Sequence, residues 1–369
     1  MNFYARFIGL IILAAAMSFT ACGAGGEAAS VSFDSPDSPG DVVSLRVAAE
    51  TSNMVYANNS LTAIVFPMAQ NDASTGSISE RFFIGETEVT YGVWKKIYDW
   101  ATTDAGGGIR ADGGELYHFI NAGREGNDGV IGSAATVAKK EPVTTVSWRD
   151  VIVWCNALTE WYNAQKGTSY ACVYTSDAGF TAPIRDLSSG VYGTVDTTAG
   201  SIDNPYVNPD AKGFRLPTSM EWEYAARYLG TSAPSTDDGL DDEYVSSGHN
   251  DTSITGLLTP GYYWLPYNYV IGATDDFSFD DCTDVAWYSF NANNSTHAVR
   301  QLDANYLGLY DMSGNVAEWC IDAQVSDYSR YVHNSFWGDS EAHILVFYGN
   351  FDPPYMAFNS IGFRIAKSQ

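Results

Sequence analysis

The sequence predicts an α+β domain, rich in loops, with short strands and two main helices. Three observations carry this. The 369 residues include 34 glycines among many Asn, Asp, Ser and Thr, a composition that favours turns over a helical bundle. Two segments, 146–167 and 213–230, combine a helix-start signature with a 3.6-residue apolar period. Around them lie long polar stretches, 176–206 and 232–253, without a period. Loops of that length carry function or fill a large irregular domain.

Residues 1–21 read as a signal peptide. Arg6 precedes an apolar run from Phe7 to about Met17. The run is shorter than the ~20 residues a spanning helix needs and suits an export signal. It ends Ser-Phe-Thr-Ala-Cys22-Gly, and small residues before a cysteine resemble a bacterial lipoprotein cleavage box, with Phe19 where Leu is usual. On this reading Cys22 is lipidated, and the mature chain meets a membrane only through that anchor. Ordinary cleavage near Ala21 is the alternative. Residues 22–60 continue as linker, since GAGGEAASVSFDSPDSPGD has too little apolar content to fold alone. VVSLRVAAE within it is a strand candidate, and LTAIVFPM is another at the start of the folded region, 61–369. Arg81–Glu86 reads as a strand, followed by a helix from near Thr90. In the next helix Ser147 is the N-cap with Asp150 at N3, and Val151, Trp154, Cys155, Leu158 and Tyr162 share a face. In the third, Thr218 and Glu221 form a capping box, and Trp222, Ala225 and Ala226 face inward.

The net charge of −25 repels phosphate backbones, so nucleic acid is not an expected partner. Beyond Cys22 the cysteines are Cys155, Cys172, Cys282 and Cys320, with no C-x-x-C spacing. Two disulfides or four buried thiols both accord with that pattern. The five histidines are scattered.

ETEVTYGVW, PVTTVSW, GFRLPTSMEWEYAAR, GLYDMSGNVAEW and IGFRIA occur in that order. Together they resemble the formylglycine-generating-enzyme (sulfatase-modifying factor) family over roughly residues 61–369. The resemblance implies a C-type-lectin-like fold. The family's catalytic members are oxygenases that bind copper through two cysteines near the C-terminus, and soft thiolates suit Cu(I). Here the equivalent stretch is His333-Asn334-Ser335-Phe336-Trp337, and no cysteine follows Cys320. Neither enzymatic activity nor copper is therefore expected. The iron-dependent branch needs a histidine triad, which these isolated histidines do not supply, so iron is not expected either.

The resemblance also implies a calcium loop. On this sequence Asp311 and Glu318 would offer side-chain oxygens, and Gly314 and Val316 carbonyls, to a structural Ca²⁺. A metal-free turn is the alternative.

One segment departs from the family. Arg330, Trp337, Pro354 and Gly362-Phe363-Arg364 are kept, but the residues between are unrelated. Aromatics make up 8 of the 28 residues in 331–358, about twice the chain average of 14%. Recognition surfaces are built this way, because Tyr, Trp and Phe give large contact area at low rotamer cost. Position and preserved flanks resemble the variable proteins of diversity-generating retroelements, in which such a segment is mutagenised to bind diverse ligands. His333, Ser335, Trp337, Asp339, His343, Phe347, Tyr348, Phe351, Asp352, Tyr355, Met356 and Phe358 are the expected ligand contacts. Ile344 and Val346 are expected in the core.

The expected protein is thus a monomeric, non-catalytic lipoprotein on the outer face of a bacterial outer membrane. Its segment 331–358 would bind a protein or other macromolecule, with a glycan as alternative since aromatics also stack on sugars. A family oxygenase with altered chemistry and an invariant envelope component are the competing readings.

Overall fold

Two sheets share the interior, and the last nine residues of the chain tie them together. The computed structural model describes residues 33, 38–47, 50–58, 60, 62–68, 74–136, 139–233, 244–246, 257–273, 279–324, 326 and 328–369. All belong to the unit Val31–Gln369. The expected signal peptide and Cys22 lie outside the described residues.

The first sheet is antiparallel and has five strands. Its order is β1 (Val42–Val47), β2 (Glu50–Asn58), β3 (Phe82–Gly85), β9 (Ala366–Ser368) and β4 (Phe214–Arg215). Alternation in VVSLRV puts Val43, Leu45 and Val47 inside and their neighbours outside. This corrects the domain boundary. The stretch 22–60, expected as linker with one short strand, supplies two strands of this main sheet. Met54 and Tyr56 of β2 are fully buried against the domain core.

Three helices stand where the sequence placed their starts. Helix α1 (Tyr91–Thr102) is capped by Thr90, whose hydroxyl accepts from Val93 N. Helix α2 (Trp148–Lys166) opens on the Ser147/Asp150 capping box and closes on Gly167 in the left-handed region, φ +67°. Helix α3 (Ser219–Arg227) opens on the Thr218/Glu221 capping box. At twelve residues α1 is longer than α3 at nine, so among the described residues it stands beside α2 and α3 as a third substantial helix. The rest of the described residues are short strands, loops and short helical pieces such as Phe279–Val285.

The second sheet has four strands in the order β7 (Gly349–Asp352), β6 (Arg330–His333), β5 (Ala317–Ala323) and β8 (Ile361–Gly362). Strands β5 and β8 are parallel and the other pairs antiparallel. The terminal Gly362-Phe363-Arg364-Ile365-Ala366 runs from β8 in this sheet to β9 in the other. Phe363 seats that crossover edge-on against Trp94 and Trp154, which stack on each other 5.6 Å apart. All four cysteines beyond Cys22 are buried thiols, and no disulfide joins them.

Candidate ligand-binding surface

The segment 331–358 is a hairpin, β6 and β7, spanned by a loop that carries one short turn of helix, Glu341–His343. The register pairs Arg330 with Asp352, Tyr331 with Phe351, Val332 with Asn350 and His333 with Gly349. Alternation therefore splits the hairpin into two faces. Tyr331, His333 and Phe351 share one; Val332, Asn350 and Asp352 share the other.

Two of the expected contacts are corrected by burial. His333 and Ser335 are wholly enclosed. The His333 ring stacks on Trp222 at 4.3 Å, and its Nε2 lies 2.8 Å from Ser219 Oγ. Burial pulls this imidazole down to about 3, so it stays neutral. It is a core residue of the α3–β6 contact. Phe351 is exposed at 39%. Trp337, Asp339, His343, Phe347, Tyr348, Asp352, Tyr355, Met356 and Phe358 are half-buried, while Ile344 and Val346 are fully enclosed as expected.

The accessible residues form connected groups. Phe351 lies edge-on to Tyr331 at 4.8 Å, and the Tyr348 and His343 rings are 4.6 Å apart. Phe347 reaches Tyr267 at 6.1 Å. Tyr355 and Met356 meet a residue not singled out from the sequence, Tyr192. Its ring is 5.2 Å from Tyr355 and its hydroxyl donates to Met356 Sδ at 3.3 Å. Tyr192 is 75% exposed and belongs to the polar loop 176–206. Arg149 anchors that loop through a buried pair with Asp203 and bonds to the carbonyls of Val191 and Thr194. An aromatic stranded in a long polar stretch was the available signal. On the Asp352 face, a cavity of about 200 Å³ opens among Phe336, Asp339, Tyr348, Asp352 and Phe358. Burial raises the carboxyls of Asp339 and Asp352.

The loop expected to hold calcium is closed by protein groups. Both oxygens of Glu318 receive the Arg364 guanidinium at 2.6–2.7 Å, and one also takes Trp222 Nε1. Asp311 accepts from Arg300 N at 2.8 Å. The carbonyls of Gly314 and Val316 face the side-chain amide nitrogen of Asn334 at 3.1 and 3.4 Å, as does the Asp311 carbonyl at 3.4 Å. The Asn334 oxygen accepts from Gly314 N and Ser335 N, which fixes the amide's orientation. A side-chain N–H₂ thus occupies the point on which the carbonyls converge. Asp311, Gly314, Val316 and Glu318 do not fit a Ca²⁺ site, which needs about 6–8 uncommitted oxygens.

Paired sheets, three capped helices and long loops define an α+β, C-type-lectin-like domain of the formylglycine-generating-enzyme type. The chain belongs to the sulfatase-modifying factor enzyme 1-like domain family, whose match spans residues 57–369. Treponema denticola variable protein 1 shares the fold, with 22% identity, a TM-score of 0.56, and coverage of 89% of this chain and 99% of that one. The structure of CarF is similar at 23% identity and a TM-score of 0.55, covering 86% and 98%. Chaperone protein LppX of Paenibacillus barcinonensis is 32% identical over 184 residues. That alignment takes in 49% of this chain and 52% of LppX, so the chain spans about half the length of this curated relative.

Proposed function

We propose that this chain is a non-catalytic, lipid-anchored binding protein displayed on the outer membrane, and that its segment 331–358 is diversified to bind varied macromolecular ligands. One observation carries the reading. Trp337, Phe347, Tyr348, Phe351, Tyr355 and Phe358 remain accessible on one hairpin and its loops. The residues that hold the hairpin, among them Arg330, Asn334, Ile344, Phe363 and Arg364, are buried. Of the first set, only Phe347 and Phe358 also pack on the clusters that hold Ile344 and Phe363; the others can be exchanged with those clusters left in place. A protein is the favoured ligand, with a glycan as the alternative. The copper-binding cysteine pair of the family's oxygenases has no counterpart after Cys320, which supports a binding role over an oxidative one.

Sequencing the 3′ end of the gene across isolates tests this. Substitutions are expected to cluster at accessible positions such as Trp337, His343, Phe347, Phe351, Tyr355 and Met356. They should spare His333, Asn334, Ser335, Ile344, Val346 and Gly362-Phe363-Arg364. Uniform identity through 331–358 would sink diversification. The anchor has its own test: metabolic labelling with an alkyne fatty acid should mark the chain and fail to mark Cys22→Ala.

A further inference from the structure

We propose that the cavity over β5–β8 receives one basic side chain, lysine or arginine, of a protein partner. This rests on the reading of 331–358 as a recognition surface and names the chemistry that one part of it accepts.

Size comes first. Drug-sized ligands occupy pockets of roughly 300–1,000 Å³; at about 200 Å³ this cavity has room for a single side chain. Its floor is the second sheet, to which Ala317, Val332 and Ile361 contribute apolar groups that suit an aliphatic stem. Its polar end is acidic. The Asp352 carboxylate receives no hydrogen bond from any described residue. Arg330, opposite it across the hairpin, does not neutralise it. Its two Nη atoms donate to the carbonyls of Ile321 and Asp203, its Nε is buried without a partner, and the guanidinium lies 3.7 Å over the Trp148 ring. Asp339 accepts Phe336 N at 3.1 Å, and its other oxygen stands 3.7 Å from His343 Nδ1, too far for a hydrogen bond. Asp352 therefore faces this small space without a counterion, and beside it Asp339 has only the His343 imidazole, 3.7 Å away. Phe336, Tyr348 and Phe358 also line it, with Asn334, Asn350 and Ser360, and aromatic faces attract cations as carboxylates do.

The competing occupants fare worse on the same grounds. An acidic side chain would meet two like charges on a chain of net charge −25. A neutral aliphatic would strip water from the carboxylates and return no hydrogen bond. Asp339, Tyr348, Asp352 and Phe358 are all among the replaceable contacts, so the preference for a cation belongs to this sequence variant rather than to the fold.

The test is calorimetric titration of the purified full chain with the N-acetyl methylamides of lysine, arginine, norleucine and glutamate, and with glucosamine. Lysine and arginine should bind at least ten-fold more tightly than norleucine, and glutamate should not bind. Asp352→Asn should weaken both basic probes about ten-fold while circular dichroism stays native. Asn350→Lys, on the exposed rim, supplies an internal cation and should abolish binding. Norleucine binding as well as lysine, or affinity unmoved in both variants, overturns the assignment. Glucosamine binding more tightly than lysine overturns the protein source in favour of an amino sugar. Failure here is separable from failure of the broader reading, because isolate sequencing reports on variation whether or not this cavity binds a cation.

Discussion

Arg364 is the residue on which the C-terminal region closes. Fully buried, it holds both oxygens of Glu318 and donates to the carbonyls of Gly85 and Tyr310, so one side chain joins the two sheets. Truncating one partner of such a pair strands the other charge in the interior, at a cost of about 3–5 kcal/mol. Arg364→Met should lower the urea stability by that amount, and Arg364→Lys should recover little, because a point charge cannot reproduce the fork. Asn334 works at the same scale. Asn334→Ala leaves buried carbonyls without a donor and should cost at least about 1–3 kcal/mol. In the parent chain neither calcium nor a chelator should move the melting temperature; a calcium-dependent rise would restore the metal site. Gly362-Phe363-Arg364 was legible in the sequence as scaffold because it is kept along with the other family motifs. The burial of His333 was not. Its partners, Trp222 and Ser219, come from a helix more than a hundred residues away, and a stretch without a period gives no sign of which aromatics turn inward.

Helix starts were the most legible elements, since a capping box is written within four consecutive residues. Their weights differ in a way the sequence does not show. Ser147 makes the ordinary cap. Asp150 does more: besides Ser147 N and Oγ, its carboxylate accepts Ile120 N, Asn121 N and Asn121 Nδ2 at 2.7–3.0 Å. It anchors the loop that leads into the short strand Arg124–Glu125 as well as the helix. Ser147→Ala should therefore cost about 1 kcal/mol. Asp150→Ala should exceed it by at least about 2 kcal/mol, since donors in a protected site lose their acceptor together. Equal costs in denaturant titrations would show the loop contacts to be idle. Strands were less legible than helices. Strand β2 pairs with β3, and β3 with β9 from the far end of the chain. A polar opening such as ETSN carries no mark of such distant partners. The Tyr192 loop was missed for the same reason: only tertiary packing on Tyr355 brings it to the binding face.

Across the molecule, the acid balance sets how stability responds to pH. Some surface carboxylates are favoured by partners, as Lys139 holds Asp128 below the usual range. Such groups contribute stability that is lost only as pH falls below about 4. Glu88 acts in the opposite direction. It is fully buried, its oxygens meet no N–H donor, and the charges of Asp311 and Glu318 lie beside it. Burial first, and those neighbours second, push its carboxyl well above the ordinary value; burial also raises Asp311. The folded chain therefore holds protons that the unfolded chain releases above about pH 4, and stability falls as pH rises through that window. The fold should be more stable at pH 5 than at pH 8. Self-repulsion at a net charge of −25 gives a slope of the same sign, but salt screens surface charge and not a buried pair. Glu88→Gln separates the two. The amide keeps the shape and needs no proton to stay neutral, so stability at pH 8 should rise by at least about 1.4 kcal/mol, the equivalent of one pKa unit. The pH 5 to pH 8 difference should shrink, and what remains should vanish in high salt. A Glu88→Gln chain that is less stable at pH 8, with its pH dependence intact, would show that Glu88 is ionised in the fold.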